Sequence, residues 1–295
     1  LDFSRKNPAA YKVDAERMDI GRLDEIYMVS YIPQGPRTPE GYAAARRQVE
    51  ETYRRLDLME EVTPGMRGRV HRGIENGYAI GLDTSLVAHF KALGCEYITL
   101  CHNGHNDICD SARPKQGEPQ EEHGGLSDYG RRVVEEMNRC HMLIDVSHAS
   151  ERTVMDVLAH SRLPIVATHT CCRSLCNHPR NLSDSVLKAI AEAGGVVQCT
   201  MYEGFCALDH PEDYGISQDQ NPSILTFMVH LRHLIEVCGI DHVGIGSDFD
   251  GDGGVPGLDD VASMVKITQL LLSEGFSDDD ICRLWGDNFR RVLHA

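Results

Sequence analysis

The chain has 295 residues, of which 41% are hydrophobic and 25% are charged, so it is long enough for one large globular α/β domain. The formal net charge of −16 argues against a nucleic-acid partner, because such a partner favours a basic surface. No stretch is long and apolar enough to span a bilayer, and residues 1–10 contain no signal-peptide core, although a signal removed upstream of Leu1 stays open.

The 11 cysteines bear on the compartment of the protein. Their number is odd and they form no Cys-x-x-Cys pair, so they cannot all pair within one chain. Several lie in apolar segments, where cysteine usually serves as a small hydrophobic residue. Cys171 and Cys172 resemble a soft-metal pair, but adjacent side chains point in different directions, which favours packing. We therefore predict reduced thiols and a cytoplasmic location.

Apolar segments typical of strands alternate with helical patterns along the first half of the chain. After an irregular start, three strands are predicted, at residues 24–32, 70–75 and 95–102. Two helices lie between them, at about residues 41–58 and 85–94. The next segment, 103–125, is rich in Gly, Pro and charge, which predicts a loop. Loops of this length are often functional lids.

The alternation is regular in the second half of the chain. Four strands are predicted, at residues 142–148, 164–169, 196–201 and 242–249. Ser127 and Ser150 are predicted to cap the helices that follow them. Further helices are predicted at residues 184–193, 224–238, 260–273 and 278–293.

Seven predicted strands of contiguous apolar residues, separated by helices, indicate a parallel sheet. A (β/α)8 TIM barrel needs eight strands, so the count fits an α/β barrel whose first strand lies upstream of Leu1 or does not stand out in the apolar pattern. The alternative is an open doubly wound sheet, but no Gly-rich phosphate loop follows an early strand. We predict a single barrel domain over residues 1–295 that is incomplete at its N-terminus.

Chemically active side chains stand at the predicted ends of several strands. His148 and His169 close successive strands, and Asp248 lies near the end of the strand predicted at 242–249. In parallel α/β folds the carboxyl ends of the strands converge, so these residues are expected to form one site. Two neutral imidazoles on rigid strands suit zinc or a similar divalent ion. Asp248 is then expected to orient a metal-bound water or to hold a substrate ammonium.

Other polar residues near strand ends have two interpretations each. Glu75 either presents its carboxylate at the same rim or is a solvated turn residue. His102 is placed to polarise a carbonyl or stabilise an oxyanion. Arg180 either clamps a carboxylate or lies on the surface. A separate group, formed by His105, Asp107 and Asp110, resembles a metal cluster by composition. It lies on a loop, so we do not assign it to the site.

Taken together, these segments resemble the membrane (renal) dipeptidase family, the M19 metallopeptidases of the amidohydrolase-like barrels. The matching segments run in the family's order from Glu75 to the C-terminus, about three quarters of the chain. They are IENGYAIG, YITLCHN, GLSDYGRRVVEEMNR with LIDVSHAS, PIVATHT, HPRNL and VGIGSDFDG. The combination is specific, although each short motif alone is not.

The resemblance implies a (β/α)8 barrel that hydrolyses dipeptides with a metal-bridging hydroxide at a binuclear zinc site. Carried over by motif, Glu75 matches the carboxylate that bridges two zinc ions. His148 and His169 match ligands of one of these ions. His102 matches the histidine beside the scissile carbonyl.

The resemblance also assigns the substrate contacts. Arg180 matches the residue that grips the free carboxylate of a small dipeptide substrate. Asp248 matches the acid near the free amino group, which also shuttles protons. Tyr202 falls in the substrate pocket more loosely.

One departure from the family is serious. The family carries a His-x-Asp pair of metal ligands on its first strand, and no such pair precedes Glu75. We therefore expect the chain to begin just after that strand. A related amidohydrolase that acts on another amide, lactam or ester stays open, as does a non-catalytic barrel that lacks the His-x-Asp ligands. A homodimer is also left open.

Overall fold

A computed structural model describes residues 11–63 and 65–295 of the chain. Within these residues, seven strands form one parallel sheet, in which each strand pairs with the next in chain order. The predicted strand number is confirmed. The strands are β1 (Ile26–Tyr31), β2 (Val70–Glu75), β3 (Cys95–Thr99), β4 (Leu143–Asp145), β5 (Val166–Thr170), β6 (Val196–Cys199) and β7 (Val243–Ile245).

Helices follow the strands and cover the sheet. They are α1 (Ala15–Gly21), α2 (Pro39–Val62), α3 (Ser85–Ala92), α4 (Asp128–Arg139), α5 (Glu151–His160), α6 (Asp184–Glu192), α7 (Glu203–Cys206), α8 (Ile224–Cys238), α9 (Val265–Ser273), α10 (Asp278–Cys282) and α11 (Asn288–Leu293). A π-helical turn, Arg283–Asp287, joins the last two, so the helix predicted at 278–293 is not uniform.

Local capping explains where several helices begin. The hydroxyl of Ser127 accepts a hydrogen bond from the amide of Gly130, and that of Ser150 accepts one from Thr153, so both predicted caps are confirmed. The start of the chain was expected to be irregular, which is wrong for α1. That helix is short and begins at Ala15, directly after the N-cap residue Asp14, whose carboxylate accepts a hydrogen bond from the amide of Arg17.

The seven-stranded sheet curls into a TIM-barrel-like α/β fold in which, among the described residues, one strand is lacking between β7 and β1. Helix α11 spans this gap at the amino ends of the strands. The side-chain Nδ2 of Asn288 donates to the carbonyl of Val243 in β7, at 2.8 Å, and the ring of Phe289 contacts that of Tyr27 in β1. Arg290 adds an ion pair to Glu25, at 3.0 Å. The last helix therefore ties the two edge strands together.

A second contact bridges the gap at the other side of the molecule. Helix α1 packs against the 3-10 turn Val261–Ser263, and the amide of Val261 donates to the carbonyl of Lys12 at 3.0 Å. Gly21 lies directly on this turn, where a Cβ atom would stand 2.1 Å from the carbonyl oxygen of Val261. Only glycine allows so close an approach.

The interior of the barrel is filled in layers. The layer nearest the amino ends of the strands is apolar and is formed by Tyr97, Leu143, Val166, Val196, Phe289 and Val292. At the same level, Gly73, the register partner of Tyr97 in β2, leaves room for the tyrosine ring, which a Cβ atom would approach to 2.5 Å. Polar residues of β3, β4 and β5 form the next layer, directly below the carboxyl ends of the strands.

The segment 103–125 is an irregular loop, as predicted, and Asp110 holds it together. This buried carboxylate accepts hydrogen bonds from the backbone amides of Glu122, His123 and Gly125. Nδ1 of His105 accepts from the amide of Ser111, and its Nε2 donates to a backbone carbonyl. These groups are occupied by the loop itself, which agrees with leaving them out of the predicted site.

Two further observations concern the cysteines and the possibility of a membrane-spanning helix. All 11 cysteines are free thiols and nine of them are buried. Among the described residues, each helix falls short of the length or the apolar composition that crossing a membrane requires.

Candidate metal centre

Glu75 lies at the carboxyl end of β2 and is surrounded by three histidines. Its Oε1 atom lies 3.1 Å from Nε2 of His148, 3.4 Å from Nε2 of His169 and 3.9 Å from Nε2 of His102. The structure thus brings together the three predicted metal ligands, whose ligand atoms all lie within 4.8 Å of one another. Among the residues described, no other group of three metal-ligating side chains meets this spacing.

The structure corrects the placement of three site residues. His102, His148 and Asp248 were predicted at strand ends, but each lies on a loop three residues beyond its strand. The strands end at Thr99, Asp145 and Ile245. Of the three histidines of the predicted site, His169 alone lies within its strand, β5.

Backbone turns explain why these strands end early. One carboxylate oxygen of Asp145 accepts the amide of Ser147, which turns the chain out of β4. His148 then adopts a φ of +69°, and Asp248 adopts +55° after β7. Asn76, next to Glu75, has a φ of +92°. Non-glycine residues rarely adopt such angles, and they concentrate at functional sites.

The long loop fixes the two histidines that leave their strands. Ser111 donates its hydroxyl to the carbonyl of His102 at 2.6 Å, and the amide of Ala112 donates to the carbonyl of His148 at 2.8 Å. Sequence reasoning missed both contacts, because nothing in the composition of the loop indicates where it folds back.

The ring nitrogens that face away from Glu75 have partners of their own. Nδ1 of His169 lies 2.9 Å from Oγ1 of Thr168, and Nδ1 of His148 lies 3.4 Å from Oδ1 of Asn103. Nε2 of His169 is buried and has no hydrogen-bond partner among the described residues. Such an atom, directed at a carboxylate oxygen, fits a metal ion between them.

Burial dominates the electrostatics of the centre. It raises the pKa of Glu75 to about 8, with further increases from the charges of Asp248 and Asp145 and an opposing effect of Arg180. It lowers the pKa of His102 to about 4 and holds the pKa of His148 and of His169 well below the usual histidine range. The imidazoles are therefore neutral and free to donate lone pairs to a cation.

Arg180 lies inside the protein, with 3% of its surface exposed, so the surface interpretation of this residue is wrong. Its Nη2 donates to the carbonyl of His169 at 3.3 Å, and its guanidinium lies 5.1 Å from the ring centroid of Phe205. Its Nε is buried without a hydrogen-bond partner among the described residues. Burial lowers the pKa of Arg180, against the attraction of Asp248 and Glu75.

The remaining predicted residues lie around the same space. Asp248 is half-buried, and burial raises the pKa of its carboxyl to about 7, although Arg180 opposes this. The ring of Tyr202 lies 4.4 Å from that of Phe205, which in turn contacts Arg180. Tyr31 of β1 packs on His102 at 4.9 Å and was not anticipated from the sequence. The individual roles of these residues stay predictions.

Comparison with known proteins relates this geometry to a family. Residues 2–295 match the sequence model described as membrane dipeptidase (peptidase family M19). The chain is 33% identical to the dipeptidase aclJ of Aspergillus oryzae over 306 residues, which cover 96% of the chain and 69% of that protein. It is 31% identical to the dipeptidase verJ of Clonostachys rogersoniana over 314 residues, with coverages of 98% and 77%.

A solved structure extends the similarity to the fold. The crystal structure of the probable dipeptidase PvdM from Pseudomonas aeruginosa superposes with a TM-score of 0.88 at 27% identity. The alignment covers 99% of this chain and 90% of that one.

Proposed function

Since the chain belongs to the membrane dipeptidase family, peptidase family M19, we propose that it is a zinc-dependent dipeptidase that acts at the centre around Glu75. The observation that carries this proposal is the approach of two imidazole nitrogens to one carboxylate oxygen. Nε2 of His148 and Nε2 of His169 lie 3.1 and 3.4 Å from Oε1 of Glu75, and the latter nitrogen has no hydrogen-bond partner within the described ranges.

The donor set supports zinc as the metal. Two neutral imidazoles and one carboxylate are typical ligands of catalytic zinc, and Glu75, His148 and His169 would hold one ion. In the proposed binuclear site Glu75 would be shared with a second ion. When bound, the zinc ions would lower the pKa of a water molecule and polarise the scissile carbonyl.

The other residues of the chain would bind and orient the dipeptide. Arg180 would pair with the free carboxylate, using the Nε donor that is unpartnered within the protein. Asp248 would receive the free ammonium and hold or move a proton at its carboxylate. His102, neutral at pH 7, would donate one hydrogen bond to the carbonyl oxygen as negative charge develops there.

This arrangement accounts for a preference for very short substrates. Arg180 and Asp248 attract each other electrostatically, so the two charged groups lie near one another. A substrate must place its two charged termini against both residues at once, and Tyr202 would line the pocket between them. A longer peptide would bring an uncharged amide to one of the two.

Kinetics on a panel of substrates tests the proposal. The zinc-loaded protein is expected to hydrolyse L,L- or L,D-dipeptides and to lose activity on N-acylated analogues, because a blocked amine cannot pair with Asp248. Zinc analysis of the same preparation is the control. Hydrolysis of acylated amides or lactams in preference to dipeptides would favour a related amidohydrolase. Bound zinc without any hydrolysis, or no bound zinc, would favour a non-catalytic barrel.

The remaining sequence predictions belong to this proposal too. A cytoplasmic location is supported by 11 free thiols, nine of them buried. The net charge of −16 argues against a nucleic-acid partner. A homodimer stays a prediction, which sedimentation of the purified protein would decide.

A further inference from the structure

A chain of hydrogen bonds lies directly beneath the metal centre and ends on His169. Asp145 is fully buried at the end of β4. Its Oδ2 accepts the hydroxyls of Thr99 and Thr168, at 2.6 and 2.8 Å. Oγ1 of Thr168 in turn lies 2.9 Å from Nδ1 of His169. A carboxylate in the polar layer of the barrel is thus connected to a predicted metal ligand through one hydroxyl.

The direction of each proton in this chain is determined by its neighbours. Oδ1 of Asp145 accepts the backbone amides of Ser147 and Thr168, both at 3.0 Å, and these two groups can only donate. Oδ2 can only accept as well, so the hydroxyl of Thr168 must donate its single proton to Asp145. Oγ1 of Thr168 then presents lone pairs to its other neighbours.

This polarity selects one tautomer of His169. Because Oγ1 of Thr168 can only accept from the ring, Nδ1 of His169 must carry the proton, and Nε2 carries the lone pair. The hydroxyl of Ser147 lies 3.3 Å from Oγ1 of Thr168 and accepts the amide of His169 at 3.1 Å, so it does not reverse the direction. The lone pair of Nε2 is the group that faces Glu75 and has no partner within the described ranges.

We propose that Asp145 is a positioning residue, which acts through Thr168 to hold His169 in the Nδ1-protonated tautomer that leaves Nε2 free to bind a metal ion. The tautomer part of this inference depends only on the hydrogen bonds described. Its consequence for metal binding rests on the proposed function.

Replacing Asp145 by Asn reverses the direction of the hydrogen bonds that run through Thr168, with almost no change in the shape of the side chain. The amide oxygen must still face the two backbone donors, Ser147 and Thr168, so the NH2 group faces the hydroxyls. That group donates to Thr168, whose own proton then points to Nδ1 of His169. Asp145→Asn therefore protonates Nε2, the atom that would bind the metal.

A matched pair of variants separates this effect from a loss of packing. Thr168→Val removes the hydroxyl that links Asp145 to His169, and Thr168→Ser keeps it. Thr99→Val removes the other hydroxyl on the same oxygen of Asp145, and it leaves the link intact. Thr99 and Thr168 are both buried, so each valine variant removes a buried hydroxyl that donates to Asp145, and Thr168→Val also removes the contacts with His169 and Ser147.

The experiment combines nuclear magnetic resonance with zinc titration on the full chain. The 15N shifts of labelled histidines in the metal-free protein should show Nδ1–H at His169 in the wild type and in Thr99→Val, and Nε2–H in Asp145→Asn. Zinc affinity should fall about 10–100-fold in Asp145→Asn and in Thr168→Val, as expected for a lost outer-shell partner. Thr168→Ser should restore it to within about threefold of the wild type.

Three results would overturn the inference. They are an unchanged His169 tautomer in Asp145→Asn, an unchanged zinc affinity in Thr168→Val, and equal losses of zinc affinity in Thr99→Val and Thr168→Val. If Asp145→Asn does not fold, the comparison of the two valine variants decides. A wild-type protein that binds zinc but does not hydrolyse dipeptides would contradict the proposed function and leave the tautomer result standing.

Discussion

Arg180 carries a guanidinium into the interior of the protein with one donor, Nε, unpartnered among the described residues. A buried charge of this kind is costly unless a partner reaches it. The aromatic ring of Phe205 and the carbonyl of His169 hold the side chain in place, yet neither satisfies Nε. A substrate carboxylate would complete the set of partners, which makes this residue the most direct test of substrate binding.

Replacing Arg180 by Ala is expected to raise KM for dipeptides about 10–100-fold, because a charge-assisted hydrogen bond contributes about 1.5–3 kcal/mol. Steady-state kinetics of the zinc-loaded variant measures this. Arg173→Ala is the matched control, since Arg173 lies on the same loop and pairs with Glu151 at 3.2 Å. Equal KM values in wild type and Arg180→Ala would remove this residue from the substrate site.

Asp248 is a carboxyl whose pKa burial raises from 3.8 to about 7. A raised carboxyl pKa means that the folded state binds more protons, so the metal-free protein loses stability as pH rises from about 4 to 7. Asp248→Asn should therefore be more stable than the wild type by about 1–3 kcal/mol at pH 8, and equally stable at pH 4.

Chemical denaturation of both metal-free proteins across this pH range measures the effect. The control is Asp259→Asn, an exposed carboxylate later in the segment that follows β7, which should change stability by less than about 0.5 kcal/mol. An Asp248→Asn protein that is less stable than the wild type at pH 8 would contradict the raised pKa of Asp248. The expected gain in stability with a loss of activity is the usual trade-off at a binding site.

At the level of elements, the last helix and the edge strand β1 are joined by a polar network at the amino ends of the strands. Nδ1 of His71 in β2 lies 2.9 Å from Glu96, which also accepts the hydroxyl of Tyr27. Its Nε2 lies 3.3 Å from Glu25, the ion-pair partner of Arg290 in α11. The network therefore connects β1, β2 and β3 to the helix that spans the gap.

The hydrogen bond to Glu96 raises the pKa of His71, although burial opposes it. Its protonated form is therefore favoured by folding. This stabilisation is fully present below the unfolded pKa of about 6.5 and is lost as pH rises through the raised value. A double-mutant cycle of His71→Gln and Glu96→Gln should give a coupling free energy of about 0.5–1 kcal/mol at pH 5.5 and close to zero at pH 9. Denaturant unfolding measures it, and a coupling that grows with pH would refute the assignment.

At the scale of the whole molecule, metal binding should appear as stability. An ion that binds only the folded chain stabilises it by about 2.7 kcal/mol when its free concentration is about 100 times Kd. Zinc is therefore expected to raise the Tm of the wild type, and a chelator should reverse the shift. Calorimetry should detect no shift in His169→Ala. It should detect the full shift in His160→Ala, because His160 is an exposed histidine of α5. Equal shifts in both variants would place zinc elsewhere.

Much of the barrel could be predicted from the sequence, because each buried parallel strand is a contiguous apolar segment that helices interrupt. Helix α8 has the predicted bounds, and β2 does too. The predicted strands at His102 and His148 were three residues too long at their carboxyl ends, and the one at Asp248 was four residues too long, since apolar character continues past the last ladder hydrogen bond. The positive φ angles that turn these loops leave no signal in hydrophobic periodicity.

The candidate site could be predicted only in part, for a related reason. Glu75 and His169 end or lie in strands, where topology alone brings them together. The contacts of Ser111 with His102 and of Thr168 with Asp145 depend on how distant segments meet, and neither hydroxyl is unusual in the sequence. Burial of Arg180 could not be predicted either, because its short loop resembles an exposed turn.

The attachment of the long loop to two histidines has a consequence for how such a protein can change. Ser111 and Ala112 form the contacts to the centre, whereas residues 114–121 are exposed or half-buried beyond them. Insertions and substitutions are best tolerated at exposed loop tips. A combinatorial library confined to 114–121 would therefore vary the outer part of the loop and leave the contacts of Ser111 and Ala112 with the two histidines in place. The residues that hold the two histidines and the segment that can vary are only two positions apart in the chain.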